Sequence, residues 1–391
     1  MFRLYFGASC FSTFAIWIIR FLLGWLTWDL TQSAFWVGVI SATMLLPTFL
    51  LSPIFGVISD RISARNGMLA TTLLQAIIGA AAAIADMRGI FSISWLVVIS
   101  ACSGAVSSAH HPLRLALIPR LVQRDSLPSA IGLSAMVFNS SRILGPAVGA
   151  WLVATASAAT AFWTTTGLFV CALLFLLAIA PIPHTESHSR QSLLQDMRQG
   201  FGFIAASPAI KFVLAITTVN GLLGRSIIEL LPAISGTLAG GGARTLAILT
   251  AFAGVGSIIG GLIISRQSSN QRYMLNLIMF CLLVSGITLL PIVFVAALPL
   301  LIAIIMFLSM AMTMIGTGCQ ALIQLSVADD YRGRVLSIWT VVSMGIPAIG
   351  AFVLGAAAEW VGFRTVLMIF ALSAIIAVGL FANRNRQISL S

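Results

Sequence analysis

Long apolar stretches alternate with short polar breaks along almost the entire chain. Many of these stretches reach about 20 residues, the length that a helix needs to cross some 30 Å of hydrocarbon. The first stretch is too long for a cleaved signal peptide, so we expect it to remain as a helix. The pattern predicts an all-α membrane protein with twelve transmembrane helices, near residues 5–28, 34–58, 67–86, 91–112, 128–155, 160–181, 209–233, 244–265, 273–295, 297–322, 334–359 and 363–382.

One polar stretch, Pro181 to Pro208, is much longer than the other breaks and separates six spans from six. We therefore expect an N-terminal six-helix bundle over residues 1–181 and a cytoplasmic linker over residues 182–208. A C-terminal six-helix bundle is expected over residues 209–391.

The composition excludes a soluble protein, because 59% of the 391 residues are hydrophobic and only 8% are charged. Soluble domains carry roughly 25% charged residues. The net charge of +11 does not indicate a nucleic-acid partner, since the arginines lie singly between apolar runs. If the N-terminus is in the cytoplasm, most arginines, Arg114 and Arg120 included, fall in cytoplasmic loops, and this asymmetry supports an even number of spans. We therefore expect both termini in the cytoplasm and the protein in a bacterial inner membrane.

The two halves of the sequence repeat each other. An offset of 205 residues lays Gly56–Arg61 over Gly261–Arg266 and Arg20 over Arg225. An offset of 201 lays Pro146–Ala150 over Pro347–Ala351. Such repeats predict two bundles related by a pseudo-two-fold axis, an arrangement that places a transporter's substrate site near the membrane midplane.

Several of these stretches resemble the major facilitator superfamily. Gly56–Arg65 is similar to the signature between its second and third spans, with Ser63 and Ala64 as departures. Arg142–Gly149 is similar to the fifth-span motif of its antiporters. The stretches Trp25–Ala34 and Leu117–Val122 resemble the branch that contains the enterobactin exporter and related drug exporters. The resemblance implies the major facilitator fold and a small-molecule substrate.

The signature residues suggest a gate at the cytoplasmic end of the second span. Gly56 permits close helix packing, and Asp60 can face the positive N-terminal end of a neighbouring helix. In the superfamily that helix is the eleventh span, with Arg61 and Arg65 completing the motif. The alternative is that Asp60 and Arg61 form only a turn and a topology marker.

The fifth span combines a deep cation with a kink. Pro146 leaves one helix carbonyl without its donor, and Gly145 and Gly149 leave one face almost without side chains. Arg142 lies so deep that it must find water, an acid or carbonyl groups. The alternative is a packing kink with a snorkelling arginine.

Arg20, Arg142 and Arg225, with the single carboxylate Glu229, predict a cationic cavity that favours anionic or electron-rich substrates. Trp17, together with Trp25, Trp28 and Trp36, can contribute aromatic contacts. Two alternatives remain: the arginines pair internally to fix the structure, or the tryptophans anchor the membrane interface.

No ATP-binding motif is present, so we expect a proton gradient to drive transport. Glu229 is the first candidate for proton coupling and Asp29 the second, although Asp29 can also be an exposed helix-end acid. His110 and His111 are expected at the interface, where a proton sensor is an alternative. The five cysteines show no paired ligand spacing, so neither a disulfide framework nor a zinc site is expected. No cofactor is expected.

The leading hypothesis is a monomeric, proton-coupled exporter of an amphipathic, anionic molecule such as a siderophore or drug. Its partners are then the substrate, the lipid bilayer and the proton gradient. An importer, uniporter or lipid flippase on the same scaffold is the alternative. A membrane enzyme or sensor is disfavoured because catalytic clusters and an output domain are lacking.

Overall fold

The computed structural model describes residues 1–61, 63–123, 127–181, 201–239, 241–266, 271–292, 294–295, 297–327 and 329–385. Within these ranges the regular structure is helical. Most of the predicted linker over residues 182–208 therefore lies outside the described residues.

Fourteen helices are labelled here in chain order. They are α1 (Phe2–Thr31), α2 (Ala34–Arg61), α3 (Ala64–Met87), α4 (Ile93–Leu121), α5 (Leu127–Thr155), α6 (Ala158–Leu177), α7 (Pro208–Val219), α8 (Ser226–Glu229), α9 (Leu231–Ala239), α10 (Ala243–Ser265), α11 (Gln271–Ile292), α12 (Leu298–Ser326), α13 (Asp329–Val361) and α14 (Phe363–Asn385).

Ten helices among the described residues are long and apolar enough to cross a membrane, so the chain is a multi-pass membrane protein. The second and fifth predicted spans are not among these ten, but both coincide with helices, α2 and α5. Side chains in these two helices are described only in part. The count of twelve spans stays a prediction.

The seventh predicted span is interrupted. Between α7 and α8 the backbone forms a π-helical turn, Asn220–Arg225. Two glycines permit close packing there: a Cβ on Gly221 would lie 3.0 Å from a side-chain carbon of Ile346, and one on Gly224 would lie 2.7 Å from Met312. A π turn holds one extra residue and is frequent at functional sites. Hydropathy measures only apolar length, so it predicts no such interruption.

The contacts divide the chain into two compact units. The first unit comprises Met1–Gln32, Ile40–Ser189 and Gly241–Ala251, and the second comprises Ser33–Val39, Arg190–Gly240 and Phe252–Ser391. In the first, α1 packs on α5 and α6 while α3 packs on α4 and α6. In the second, α11 packs on α12 and α14. The predicted boundary at residues 182–208 and the symmetric two-bundle arrangement stay predictions.

The repeat in the sequence is matched by a repeat of contacts inside the units. In the first unit a Cβ on Gly149 would lie 2.9 Å from Cδ1 of Phe21. In the second unit a Cβ on Gly350 would lie 2.9 Å from Cβ of Ser226. Offsets of 201 and 205 residues relate these two pairs. Equivalent positions of the two halves therefore form equivalent close helix contacts.

The first residues of α2 pack against α13 within the second unit. A Cβ on Gly38 would lie 2.6 Å from the carbonyl oxygen of Ala351. The ring centroids of Phe35 and Phe352 are 5.9 Å apart. The hydroxyl of Ser33 donates a hydrogen bond to the carboxylate of Glu359. Backbone contact and polar contact thus hold the start of α2 on α13.

Candidate functional site

One face of α1 carries a line of polar and aromatic side chains. Tyr5, Ser9, Thr13 and Trp17 follow one another at intervals of four residues, and Arg20 is three residues further on. Residues with this spacing lie above one another on a helix. The line meets side chains of α4 and α5, which complete the candidate site in the first unit.

Two predicted residues, Arg20 and Trp17, lie in direct contact. The guanidinium carbon of Arg20 is 5.5 Å from the ring centroid of Trp17, within the range of a cation–π interaction. The Trp17 ring meets Phe138 edge-on, with centroids 5.6 Å apart. A Cβ on Gly145 would lie 2.7 Å from Cβ of Trp17, so this glycine lets α5 approach α1.

Arg114 belongs to this site, although the sequence pattern placed it in a cytoplasmic loop. That prediction is wrong: α4 continues past residue 112 to Leu121, and Arg114 is 9% exposed. One nitrogen of its guanidinium lies 3.5 Å from Oγ1 of Thr13, and its central carbon lies 5.6 Å from the ring centroid of Phe138. The apolar residues that continue to Ile118 are the signal that extends the helix.

Tyr5 fixes the backbone beside this arginine. Its hydroxyl donates a hydrogen bond of 3.4 Å to the carbonyl oxygen of Arg114. The rings of Phe138 and Trp17 then connect the two guanidinium groups in the order Arg114, Phe138, Trp17, Arg20. The site therefore consists of two cations joined through two aromatic rings.

Two acids of the first unit whose side chains the structure describes, Asp29 and Asp86, lie at helix ends. Asp29 is exposed near the end of α1. Asp86 is next to the last residue of α3 and accepts a hydrogen bond of 2.8 Å from the backbone N–H of Ala159. In the described part of this unit, the charged side chains away from the helix ends are therefore cationic.

The predicted fifth-span residues lie in α5. Pro146 is inside the helix and Gly149 lies against Phe21, so close packing accompanies the proline. Arg142 is half-buried and interacts with other groups.

The predicted residues of the seventh span belong to the second unit. Arg225 ends the π turn and is exposed, whereas Glu229 ends α8 and is half-buried. Both side chains interact with other groups. Nearby, Nδ2 of Asn220 donates to the carbonyl oxygen of Met312 at 3.4 Å.

The predicted gate is described only in part. Gly56, Asp60 and Arg61 lie in the last turns of α2, and their side chains are outside the description. Arg65 donates a hydrogen bond of 3.0 Å to the carbonyl oxygen of Leu177, the last residue of α6. A cation is favourable at that helix end.

His110, which is expected near the interface, is enclosed by the protein. It is 5% exposed, and its Nδ1 lies 2.9 Å from the hydroxyl of Thr71. The helix α4 continues beyond this residue to Leu121. The side chain of His111 lies outside the description.

A family model described as a transmembrane secretion effector matches residues 1–388. The chain is 26% identical over 408 residues to the staphyloferrin A transporter of Staphylococcus aureus (strain NCTC 8325 / PS 47), covering 99% of this chain and 97% of that protein. It is 26% identical over 261 residues to the enterobactin exporter EntS of Escherichia coli O1:K1 / APEC, covering 62% of this chain and 57% of that relative.

The crystal structure of the nucleoside transporter NupG is similar along almost the whole chain. The TM-score is 0.80, and the match covers 99% of this chain and 100% of that one. At 14% sequence identity this likeness shows the fold alone.

Proposed function

The chain belongs to the transmembrane secretion effector family of the major facilitator superfamily, whose members are transporters and not enzymes, and we propose that it exports an anionic amphipathic molecule. A siderophore or a drug is the proposed cargo. Protons moving inward drive its exit by alternating access. The protein acts as a monomer in the bacterial inner membrane, with both termini in the cytoplasm.

The charge of the first unit supports an anionic substrate. Arg114 is buried with Thr13 and Phe138, and Arg20 lies over Trp17. In contrast to these arginines, the acids Asp29 and Asp86 of the described part of this unit lie at helix ends. A cation away from the aqueous phases is costly without a counter-charge or polar contacts. An anionic substrate supplies that counter-charge during transport.

The relatives support export as the direction of transport and a siderophore as the class of cargo. The name of one relative states that it exports enterobactin, and the name of another states that it transports staphyloferrin A. The stretch of α5 that resembles the antiporter motif, with Pro146 between two closely packed glycines, agrees with export in exchange for protons.

Glu229 is the proposed proton carrier. It is half-buried at the end of α8, directly after the π turn, whereas Asp29 is exposed at the end of α1. A carboxylate within a membrane span is a candidate member of a proton pathway. The exposed Asp29 is the weaker candidate and serves as the matched control.

The test uses inverted membrane vesicles that contain the full-length protein. Carboxylated amphiphiles are added, and proton release from the vesicles is followed with a pH-sensitive dye. Substrate-dependent proton release is expected for the wild type and for Asp29→Asn. Glu229→Gln is expected to lose gradient-driven uptake while it retains counterflow. Uptake without any proton release would instead support a uniporter or flippase, and full uptake by Glu229→Gln would remove this residue from coupling.

A further inference from the structure

Arg114 has few partners for an enclosed cation. Among the described residues it is the one arginine that is buried, at 9% exposure. A guanidinium has five N–H donors. In the described part of the chain, Thr13 is the side-chain acceptor that it reaches, at a long 3.5 Å, and no Asp or Glu forms an ion pair with it. Most of its donors are therefore available to a further acceptor.

Two buried hydroxyls lie beside Tyr5, the residue that bonds the backbone carbonyl of Arg114, and they lack a well-aligned partner. Ser9 is 1% exposed and Ser134 is 5% exposed. Both lie within interaction range of the phenol of Tyr5, which donates its own proton to the carbonyl oxygen of Arg114, and neither serine hydroxyl makes a hydrogen bond of good geometry among the described residues. Buried polar groups are normally well hydrogen-bonded, so two hydroxyls without a well-aligned partner can bind an additional polar group. The hydroxyls come from α1 and α5, the two helices that flank Arg114 on α4.

We propose that Arg114, Thr13, Ser9 and Ser134 form a subsite in the first unit that binds a carboxylate or similar oxyanion of the transported molecule. The guanidinium supplies the charge and a two-pronged set of donors. The serine hydroxyls donate to the second face of the same anion. This subsite rests on the proposed function only in assigning the anion to the transported molecule.

Two contacts hold the subsite in place before the anion arrives. The ring of Phe138 lies against the guanidinium and limits its rotation. The hydrogen bond from Tyr5 fixes the carbonyl group of the same arginine. Nε and Nη2 of Arg114 are not among the fully enclosed atoms that lack a partner, so an anion can approach these two nitrogens. Preformed donors reduce the cost of binding.

The experiment measures binding without transport. Full-length protein in phosphatidylcholine nanodiscs is titrated with sodium benzoate by calorimetry, against sodium chloride at equal ionic strength. Arg114→Gln is expected to weaken benzoate binding at least tenfold, because a charge-assisted pair of hydrogen bonds is lost. Thr13→Val and Ser134→Ala are expected to weaken it severalfold, and they keep the subsite testable if Arg114→Gln does not fold.

Arg120→Gln is the matched control, since Arg120 is an exposed arginine near the end of the same helix. It is expected to leave benzoate affinity unchanged. Equal losses in the Arg120 and Arg114 variants, or unchanged affinity in folded Arg114→Gln, would overturn the subsite. Loss of benzoate binding in phosphatidylglycerol nanodiscs would assign the subsite to a lipid headgroup and overturn the assignment to cargo.

The binding result and the transport result can fail separately. Benzoate binding that depends on Arg114 supports the subsite even if the vesicles release no protons. Proton-linked export that is intact in Arg114→Gln supports the proposed function and overturns the subsite.

Discussion

The guanidinium of Arg20 lies over the indole of Trp17, with 5.5 Å between its central carbon and the ring centroid. The two residues are three positions apart on α1, which places them on adjacent turns of the same face. Trp17 also meets Phe138, the ring that lies against Arg114. A change at either arginine is therefore transmitted to the same pair of rings.

Replacing Arg20 with Ala is expected to weaken binding of an anionic substrate by roughly tenfold or more, because a charge-assisted hydrogen bond to the anion is lost. Arg20→Lys keeps the charge and is expected to retain most of the affinity. The check is substrate-protected thermal unfolding of each variant. Arg88→Ala removes an exposed arginine beyond the end of α3 and is expected to change nothing. An unaltered affinity in Arg20→Ala would exclude this arginine from binding.

Gly145→Ala is expected to lower the melting temperature, with a cost of about 1–3 kcal/mol from overpacking. Its new Cβ would lie 2.7 Å from Cβ of Trp17 and 3.3 Å from backbone atoms of α1, which cannot move aside easily. Gly167→Ala in α6 is the control, because nothing lies within 4 Å of its Cβ position. That control is expected to be neutral or slightly stabilising. Equal melting temperatures for the two variants would contradict the close α1–α5 contact.

Thr217→Val is expected to destabilise the second unit by about 1–3 kcal/mol. The change removes the acceptor for Nε1 of Trp339, which lies 3.2 Å from Oγ1 of Thr217. Thr218→Val is the neighbouring control, since that hydroxyl donates to the carbonyl of Leu214 within its own helix. Thermal unfolding followed by tryptophan fluorescence distinguishes the two. A loss of stability of equal size in the Thr218 variant would show that the hydrogen bond to Trp339 does not stabilise the protein.

Much of the fold could be predicted, because apolar length alone decides where a chain can cross a membrane. Family membership also followed from the stretches around Gly56 and Arg142, and it is confirmed by the match over residues 1–388. The π turn could not be predicted. Gly221 and Gly224 permit close packing against Ile346 and Met312, and the sequence alone does not show that these residues are neighbours.

The candidate site was predicted in part. Arg20, Trp17 and Gly145 come together as neighbours, since all three lie on the facing sides of α1 and α5. Arg114 was not predicted as a site residue, because a charged residue near a proline is typical of the start of a loop. Its helix nevertheless continues to Leu121, and its burial depends on Thr13 and Phe138, which are far away in the sequence.

The sign of the charge that the site accepts is the central claim, and a matched pair of ligands tests it most directly. Octanoate and octylammonium have the same chain length and opposite charge, so the difference between their stabilising effects isolates the charge. In a thermal-shift measurement on the detergent-solubilised protein, octanoate is expected to raise the melting temperature and octylammonium to leave it unchanged. Stabilisation by octylammonium, with none by octanoate, would contradict the account.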